Sequence, residues 1–301
     1  MAIEHNRAMT FTYGEPREIA PGIARVVANN PSPLTFHGTN TYLLGTDTVA
    51  VIDPGPDDPV HIDAIVRAIA GRPVSQIILT HAHGDHSDGI PRLQEALKVP
   101  FAGYGYVPKA ATGKSRVAPD GREVGVKSVR PDIVLRDGST IEGDGWRLEA
   151  IFTPGHAPDH LCFALTGTGI VFSGDHVMGW NTSVVAPPEG SMRDYLASLE
   201  RMRGRGDTLY LPGHGGKLQE PERTVKGYLI HRRMREDAIL GAIREQPRSI
   251  KEIVEIIYPA IDPKLARAAA FSVQAHVEHL AEKRLIDFDG PLTADLRLCP
   301  A

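Results

Sequence analysis

The chain has 301 residues, 42% of them hydrophobic, enough to bury a substantial core in one large domain or in a large domain with a small partner. That composition excludes a disordered or fibrous chain, and a formal net charge of −4 is too weak to imply a polybasic surface for nucleic acid or membrane unless the basic groups are local. Cys162 and Cys299 lie far apart without CxxC spacing, which supports neither a disulfide framework nor a thiolate metal site.

From the N-terminus, Met1 to Phe11 sets Glu4, His5, Asn6 and Arg7 among few apolar residues and lacks the apolar stretch of a secretory signal. Charges, glycines and prolines interrupt every hydrophobic run before the about 18 residues a membrane span requires. The expectation is a cytoplasmic protein with no membrane partner.

Short β-branched or apolar runs at Tyr42–Gly45, Val49–Ile52 and Gln76–Leu79 predict buried strands. Between and after them, His61–Ala70 carries Ile62, Ile65, Val66 and Ile69 at helical spacing, and Gly89–Leu97 carries Ile90, Leu93 and Leu97. Val107–Arg130, rich in Gly, Ser and basic residues, predicts a long surface loop. Strands are predicted at Trp146–Phe152, Leu161–Leu165, Gly169–Phe172 and Thr208–Leu211, with a helix at Met192–Met202 before the last of them. Beyond Pro221 the pattern turns helical: a long helix to Gln246, a second capped by Ser249 and running through Ile257, and a third over Leu265–Leu280. Leu285–Phe288, the turn Asp289-Gly290-Pro291 and Leu296–Leu298 then read as a two-stranded wing. The reading is an α/β catalytic unit over residues 1–220 and a small winged-helix-like unit over 221–301.

Thirteen histidines are the compositional oddity, and they cluster. Thr80-His81-Ala82-His83-Gly84-Asp85-His86 directly follows the apolar Ile77-Ile78-Leu79, so three imidazoles and a carboxylate sit on a loop at a strand end. His81 and His83 alternate by two and can aim one way from extended backbone, while Gly84 is expected to permit the turn that brings Asp85 and His86 round to a second position. Thr153-Pro154-Gly155-His156, Ser173-Gly174-Asp175 and Pro212-Gly213-His214-Gly215 each add a ligand type at the end of an apolar strand. A lone histidine is usually a packing or surface residue; four such strings able to converge on one rim point to metal chemistry.

His81-x-His83-x-Asp85-His86 with His156, Asp175 and His214 resembles the metallo-β-lactamase superfamily over roughly Ile23 to Gly215. The resemblance implies an αββα sandwich, one metal ion held by His81, His83 and His156, a second by Asp85, His86 and His214, and Asp175 bridging them, with Asp85 and Asp175 as catalytic carboxylates. Donors without thiolate suit two zinc ions, with manganese or iron able to occupy the same site. A metal-bridging hydroxide would then be the nucleophile. Asp53 and His160 resemble positions that orient metal ligands in this superfamily, and turn capping or strand packing explains them equally. His176 reads as structural, and His276 with His279, three apart on a helix, as a solvated face.

Asn30-Pro31-Ser32-Pro33, Gly38 through Gly45, the Ile52-Asp53-Pro54-Gly55 turn and the C-terminal unit resemble the beta-lactamase-like protein 2 branch of that superfamily. Three functions follow as expectations: hydrolysis of an ester, thioester or lactone; cleavage of phosphodiesters in single-stranded RNA; and nucleic-acid binding around a structural metal site. The third fits least, because structural zinc sites are closed and usually Cys-rich. Residues 221–301 hold thirteen Lys or Arg against twelve Asp or Glu, and the wing carries Asp287, Asp289 and Asp295. Such a wing repels phosphates, so this unit is expected to shape the active-site mouth or a homodimer contact. Lys109, Lys114, Arg116, Arg122, Lys127 and Arg130 in the basic loop either steer an anionic small molecule or RNA, or are the ordinary display of a solvated loop.

Overall fold

The computed structural model describes residues 5–105, 116–117, 123–124, 129–290, 292–293 and 295–301. In chain order the first part contains β1 (Arg17–Ala20), β2 (Ile23–Val27), β3 (Asn40–Leu44), β4 (Val49–Ile52), α1 (Pro59–Ile69), β5 (Val74–Ile78), the single turn α2 (Gly84–Ser87), α3 (Ile90–Leu97) and β6 (Phe101–Gly103). β7 (Arg116–Val117) and β8 (Glu123–Val124) pair antiparallel within the expected basic loop, most of which lies outside the described residues, and β9 (Ile133–Val134) follows. Next come β10 (Thr140–Gly143), β11 (Trp146–Phe152), β12 (Leu161–Leu165), β13 (Ile170–Gly174), α4 (Met192–Met202) and β14 (Leu209–Pro212). The chain closes with α5 (Pro221–Ile243), α6 (Ile250–Ile257), α7 (Pro263–Glu282), β15 (Ile286–Asp287) and β16 (Cys299–Pro300).

Two sheets form the frame, one in the order β1-β2-β3-β4-β5-β6-β9 and the other β10-β11-β12-β13-β14. Alternation along each strand decides what each face touches. On β3, Tyr42 and Leu44 enter the core between the sheets with Ile52, Leu148, Phe163 and Phe172, whereas Leu43 faces the outer core with Ile62, Ile65 and Ile69 of α1 and Leu93 of α3. On β11, Leu148 and Ala150 face inward while Arg147 and Glu149 face water, and Ile151 packs outward under α4 and α5 with Tyr195, Leu199, Val225 and Tyr228. Each fully buried aliphatic side chain contributes roughly 1.5–3 kcal/mol, and helix, sheet, sheet and helix share three such layers. The αββα sandwich is present.

β2 escaped the sequence pattern because Arg25 interrupts it; that guanidinium is nonetheless buried, donating to the carbonyls of Gly215 and Thr10. β1 is a polar edge strand and β6 only three residues long, which is why neither carries a hydrophobic signature. Thr140–Gly143 buries Ile141 alone. The wing's second strand falls at Cys299–Pro300, beyond the expected Leu296–Leu298, because Leu298 is fully buried and pairs instead with Arg248 through two backbone hydrogen bonds of 3.1 and 2.9 Å.

Ser249 caps α6 as a full capping box with Glu252. α5 spans two cores: Val225 and Tyr228 pack with β13, β14 and α4, while Ile239 and Ile243 pack with α6 and α7. The pair His276 and His279 is not a solvated face. Both are turned toward buried Glu236 of α5, with His279 Nδ1 at 2.7 Å and Lys283 Nζ at 3.2 Å from its oxygens.

Burial resists ionisation of Glu236, but nearby His276 and the hydrogen bonds from His279 and Lys283 outweigh it and bring its pKa from the ordinary 4.5 down to about 2. A depressed folded-state pKa stabilises the fold above the unfolded value and loses that contribution as pH falls toward the folded one. Glu236→Gln is therefore expected to lower unfolding free energy by on the order of 2 kcal/mol at neutral pH. Denaturant titrations should show the gap from wild type closing as pH falls from 4.5 toward about 2; a pH-independent gap would contradict the ion-pair account.

Candidate metal centre

The strings singled out in the sequence meet at one end of the sandwich. β5 delivers His81 and His83, β11 runs into Thr153 and His156, β13 ends at Gly174 before Asp175, and β14 ends at Pro212 before His214. The two sheets are tied together there: the Asn40 side chain donates to the carbonyls of Pro212 and Gly215, and the Tyr42 hydroxyl donates to Pro212.

All seven expected donors converge. His83 Nδ1 lies 2.9 Å from both His81 Nε2 and His156 Nε2. On the other side, His214 Nε2 is 3.3 Å from His86 Nε2 and 3.2 Å from an Asp85 oxygen. Asp175 lies between, one oxygen 3.6 Å from His86 Nε2, the other 3.6 Å from His156 Nε2 and 3.3 Å from His214 Nε2. Three groups could each hold an ion: His81, His83 and His156; Asp85, His86 and His214; and His81, His86 and Asp175.

The turn expected at Gly84 is helical. Gly84 opens α2 with His83 as N-cap, so one helical turn swings Asp85 and His86 away from His83. A Cβ there would stand 2.8 Å from an Asp88 carboxylate oxygen, which would have to shift. Gly213 likewise makes room: a Cβ there would meet Asp175 Oδ1 at 2.5 Å and His86 Cε1 at 2.6 Å.

Hydrogen bonds behind the imidazoles set which nitrogen faces the cluster. His81 Nδ1 faces Thr80 Oγ1 at 3.0 Å, His86 Nδ1 faces Asp53 Oδ2 at 2.9 Å, His156 Nδ1 faces the Val184 carbonyl at 2.6 Å and His214 Nδ1 faces that of Gly38 at 3.1 Å. Carbonyls and a carboxylate accept only, and the Thr80 hydroxyl is spent donating to Asp53 Oδ2. Each Nδ1 therefore carries a proton, and the four Nε2 atoms face one space.

Asp53 ends β4 in the left-handed region at φ 52°, which Asp tolerates, and its oxygens accept from the Thr80 amide, the Thr80 hydroxyl and His86. His160 Nε2 accepts from the Asp175 amide at 3.1 Å, and its Nδ1 donates to Thr153 Oγ1. The His176 ring, fully buried against Tyr195, is not among the groups that converge, and neither of its nitrogens has a hydrogen-bond partner among the described residues. Sequence reading missed Asp159, which accepts from the Ala82 amide between His81 and His83, although it stands within His156-Ala157-Pro158-Asp159-His160. Burial raises the Asp159 pKa to about 7.

The electrostatics divide the cluster. Burial and neighbouring imidazoles push His81 well below its ordinary value and His83 to about 3, so both are neutral. Burial works against the charged forms of His86 and His214 too, but Asp85 and Asp175 overcome it, lifting His86 well above its ordinary value and His214 to about 9. Both carboxylates are held ionised, despite burial, by those two imidazoles.

A cation fits this arrangement. Donors about 2.0–2.1 Å from one tetrahedral ion stand roughly 3.3 Å apart, in the range of the 2.9 to 3.6 Å separations observed. Asp175 Oδ1 is buried without a hydrogen-bond partner, a costly state that a metal ion relieves.

The metallo-beta-lactamase superfamily model matches residues 34–214, and the beta-lactamase associated winged helix domain matches residues 249–291. The chain belongs to the metallo-beta-lactamase superfamily. A beta-lactamase-like protein 2 homolog of Caenorhabditis elegans is 30% identical over 273 residues, covering 87% of this chain and 85% of the relative. An atrochrysone carboxyl ACP thioesterase of Aspergillus chevalieri is 30% identical over 264 residues, covering 84% and 78%. Among solved structures, a metallo-beta-lactamase family protein of Thermus thermophilus superposes with a TM-score of 0.77 at 25% identity, covering 94% of this chain and 100% of that one. These likenesses make the chain a metal-dependent hydrolase with a winged-helix domain. No helix among the described residues is long and apolar enough to cross a membrane.

Loss of the Asp53 carboxylate removes the acceptor of His86 and Thr80 together. Asp53→Ala should weaken zinc binding roughly 10- to 100-fold in a competitive chelator titration while the circular dichroism of the sandwich persists; unchanged affinity would remove Asp53 from the site.

Proposed function

We propose that the chain is a dinuclear zinc hydrolase of thioesters, or of esters or lactones with the same carbonyl chemistry, with residues 1–220 as its catalytic unit and 221–301 appended. The observation that carries this reading is the set of four imidazole Nε2 atoms, His83 Nδ1 and two ionised carboxylates facing one space. Nitrogen and carboxylate donors favour zinc, while manganese or iron would be accepted by the same set. The acyl choice draws on the thioesterase name of the Aspergillus chevalieri relative.

His81, His83 and His156 would hold one ion, Asp85, His86 and His214 the other, with Asp175 shared. Bound there, the ions supply Lewis acidity at the substrate carbonyl and lower the pKa of water. Asp85, its side chain 31% exposed against 9% for Asp175, is the more accessible of the two carboxylates. It accepts the proton lost by the attacking water and delivers it to the leaving group. The water oxygen bonds to the acyl carbon, the C–S bond breaks with its electrons passing to sulfur, and sulfur takes the proton. Buried Asp175 and His86 keep their positions throughout, so the polar surroundings need little reorganisation.

A panel of a thioester, a lactone, a cephalosporin, a simple phosphodiester and single-stranded RNA tests the reading on zinc-reconstituted protein. Thioester turnover should dominate, vanish on chelation, return with zinc and fall by on the order of 100-fold or more in Asp175→Ala. Cleavage of RNA with the thioester untouched would contradict it.

A further inference from the structure

Arg232 of α5 is among the largest fully buried side chains, at 2% exposure, and its position is not explained by packing alone. Its guanidinium stacks over the Tyr195 ring with Cζ 5.1 Å from the centroid, and one terminal nitrogen donates to the carbonyl of Ser183. Its Nε has no hydrogen-bond partner among the described residues. A buried guanidinium without an ionic partner among the described residues costs stability, so what it holds in place bears on its purpose.

It holds the segment behind two candidate ligands. The Ser183 hydroxyl donates to the Asp175 carbonyl and lies 3.0 Å from that of His176, while the Tyr195 hydroxyl donates to the same His176 carbonyl at 2.8 Å. The next residue, Val184, supplies the carbonyl that fixes His156 Nδ1. Ser183 and Val184 thus touch the shared carboxylate residue and a histidine of the other group, and Arg232 clamps the peptide joining them.

We infer that Arg232 is a positioning residue for the metal centre, acting through Ser183 and Val184 on Asp175 and His156. The inference rests on the metal reading above. Four residues along α5, Glu236 meets His279 of α7 and Lys283 just beyond that helix, a contact separate from the one Arg232 makes with Ser183.

Zinc affinity and the visible spectrum of the cobalt-substituted full-length protein test it, with thermal unfolding measured alongside. Arg232→Met keeps length and burial without the donor; it should weaken metal binding roughly 10- to 100-fold and alter the cobalt spectrum, with the melting temperature kept or raised. Arg232→Lys should restore part of the affinity. Ser183→Ala should give a similar loss, and the double variant should lose less than the product of the two single effects. Glu236→Gln, which loosens α5 against α7 but leaves Arg232 in place, should bind metal like wild type. Wild-type affinity and spectrum in Arg232→Met, or a loss that only follows the unfolded fraction, would overturn the inference while leaving the metal reading intact. Failure of the wild type to bind metal would overturn both. Should Arg232→Met not fold, the Ser183→Ala affinity and the Arg232→Lys spectrum decide, and wild-type behaviour in both overturns the inference.

Discussion

One carboxylate, that of Asp53, is bound from three directions at the junction of β4 and β5. The Thr80 amide and hydroxyl fix the end of β5, and the His86 imidazole fixes the turn that follows it. The parallel pairing of Ile52 with Ile78 brings the two strand ends level, and the left-handed backbone at Asp53 turns its side chain across the gap. Three donors offset the cost of burying a charge. Through Thr80 the same carboxylate sets His81, so candidate ligands of both groups share one anchor.

The remaining candidate ligands depend on the fold in the same way, through groups behind them. His214 is oriented by the carbonyl of Gly38 and His156 by that of Val184, while the amide of Asp175 is held by His160. Each acceptor sits on a different connection between strands, so closing the sandwich assembles the site. The ties from Asn40 and Tyr42 to Pro212 keep the β14 loop seated against the first sheet. Burial then fixes the imidazole protonation pattern, with His81 and His83 neutral and His86 and His214 responding to the two carboxylates.

The seven donors were legible because each lies in a short Gly-flanked string directly after an apolar strand, where sequence order and spatial function coincide. The carbonyls of Gly38 and Val184 were not, since a backbone acceptor has no residue identity to read. Arg232 lies more than fifty residues from the ligands it approaches, and nothing in its helix marks it. Local charge also misled: Arg25 hid β2, and His276 with His279 resembled a solvated stripe until Glu236 was placed against them. Spacing revealed the turn at Gly84 but not that it is helical.

Anomalous diffraction at the zinc edge, on crystals of the reconstituted full-length protein, tests the central claim most directly. The account predicts two peaks, one about 2.0–2.2 Å from nitrogens of His81, His83 and His156, the other at that distance from Asp85, His86 and His214, with Asp175 reaching both. A single peak, or zinc bound away from these seven side chains, would contradict it.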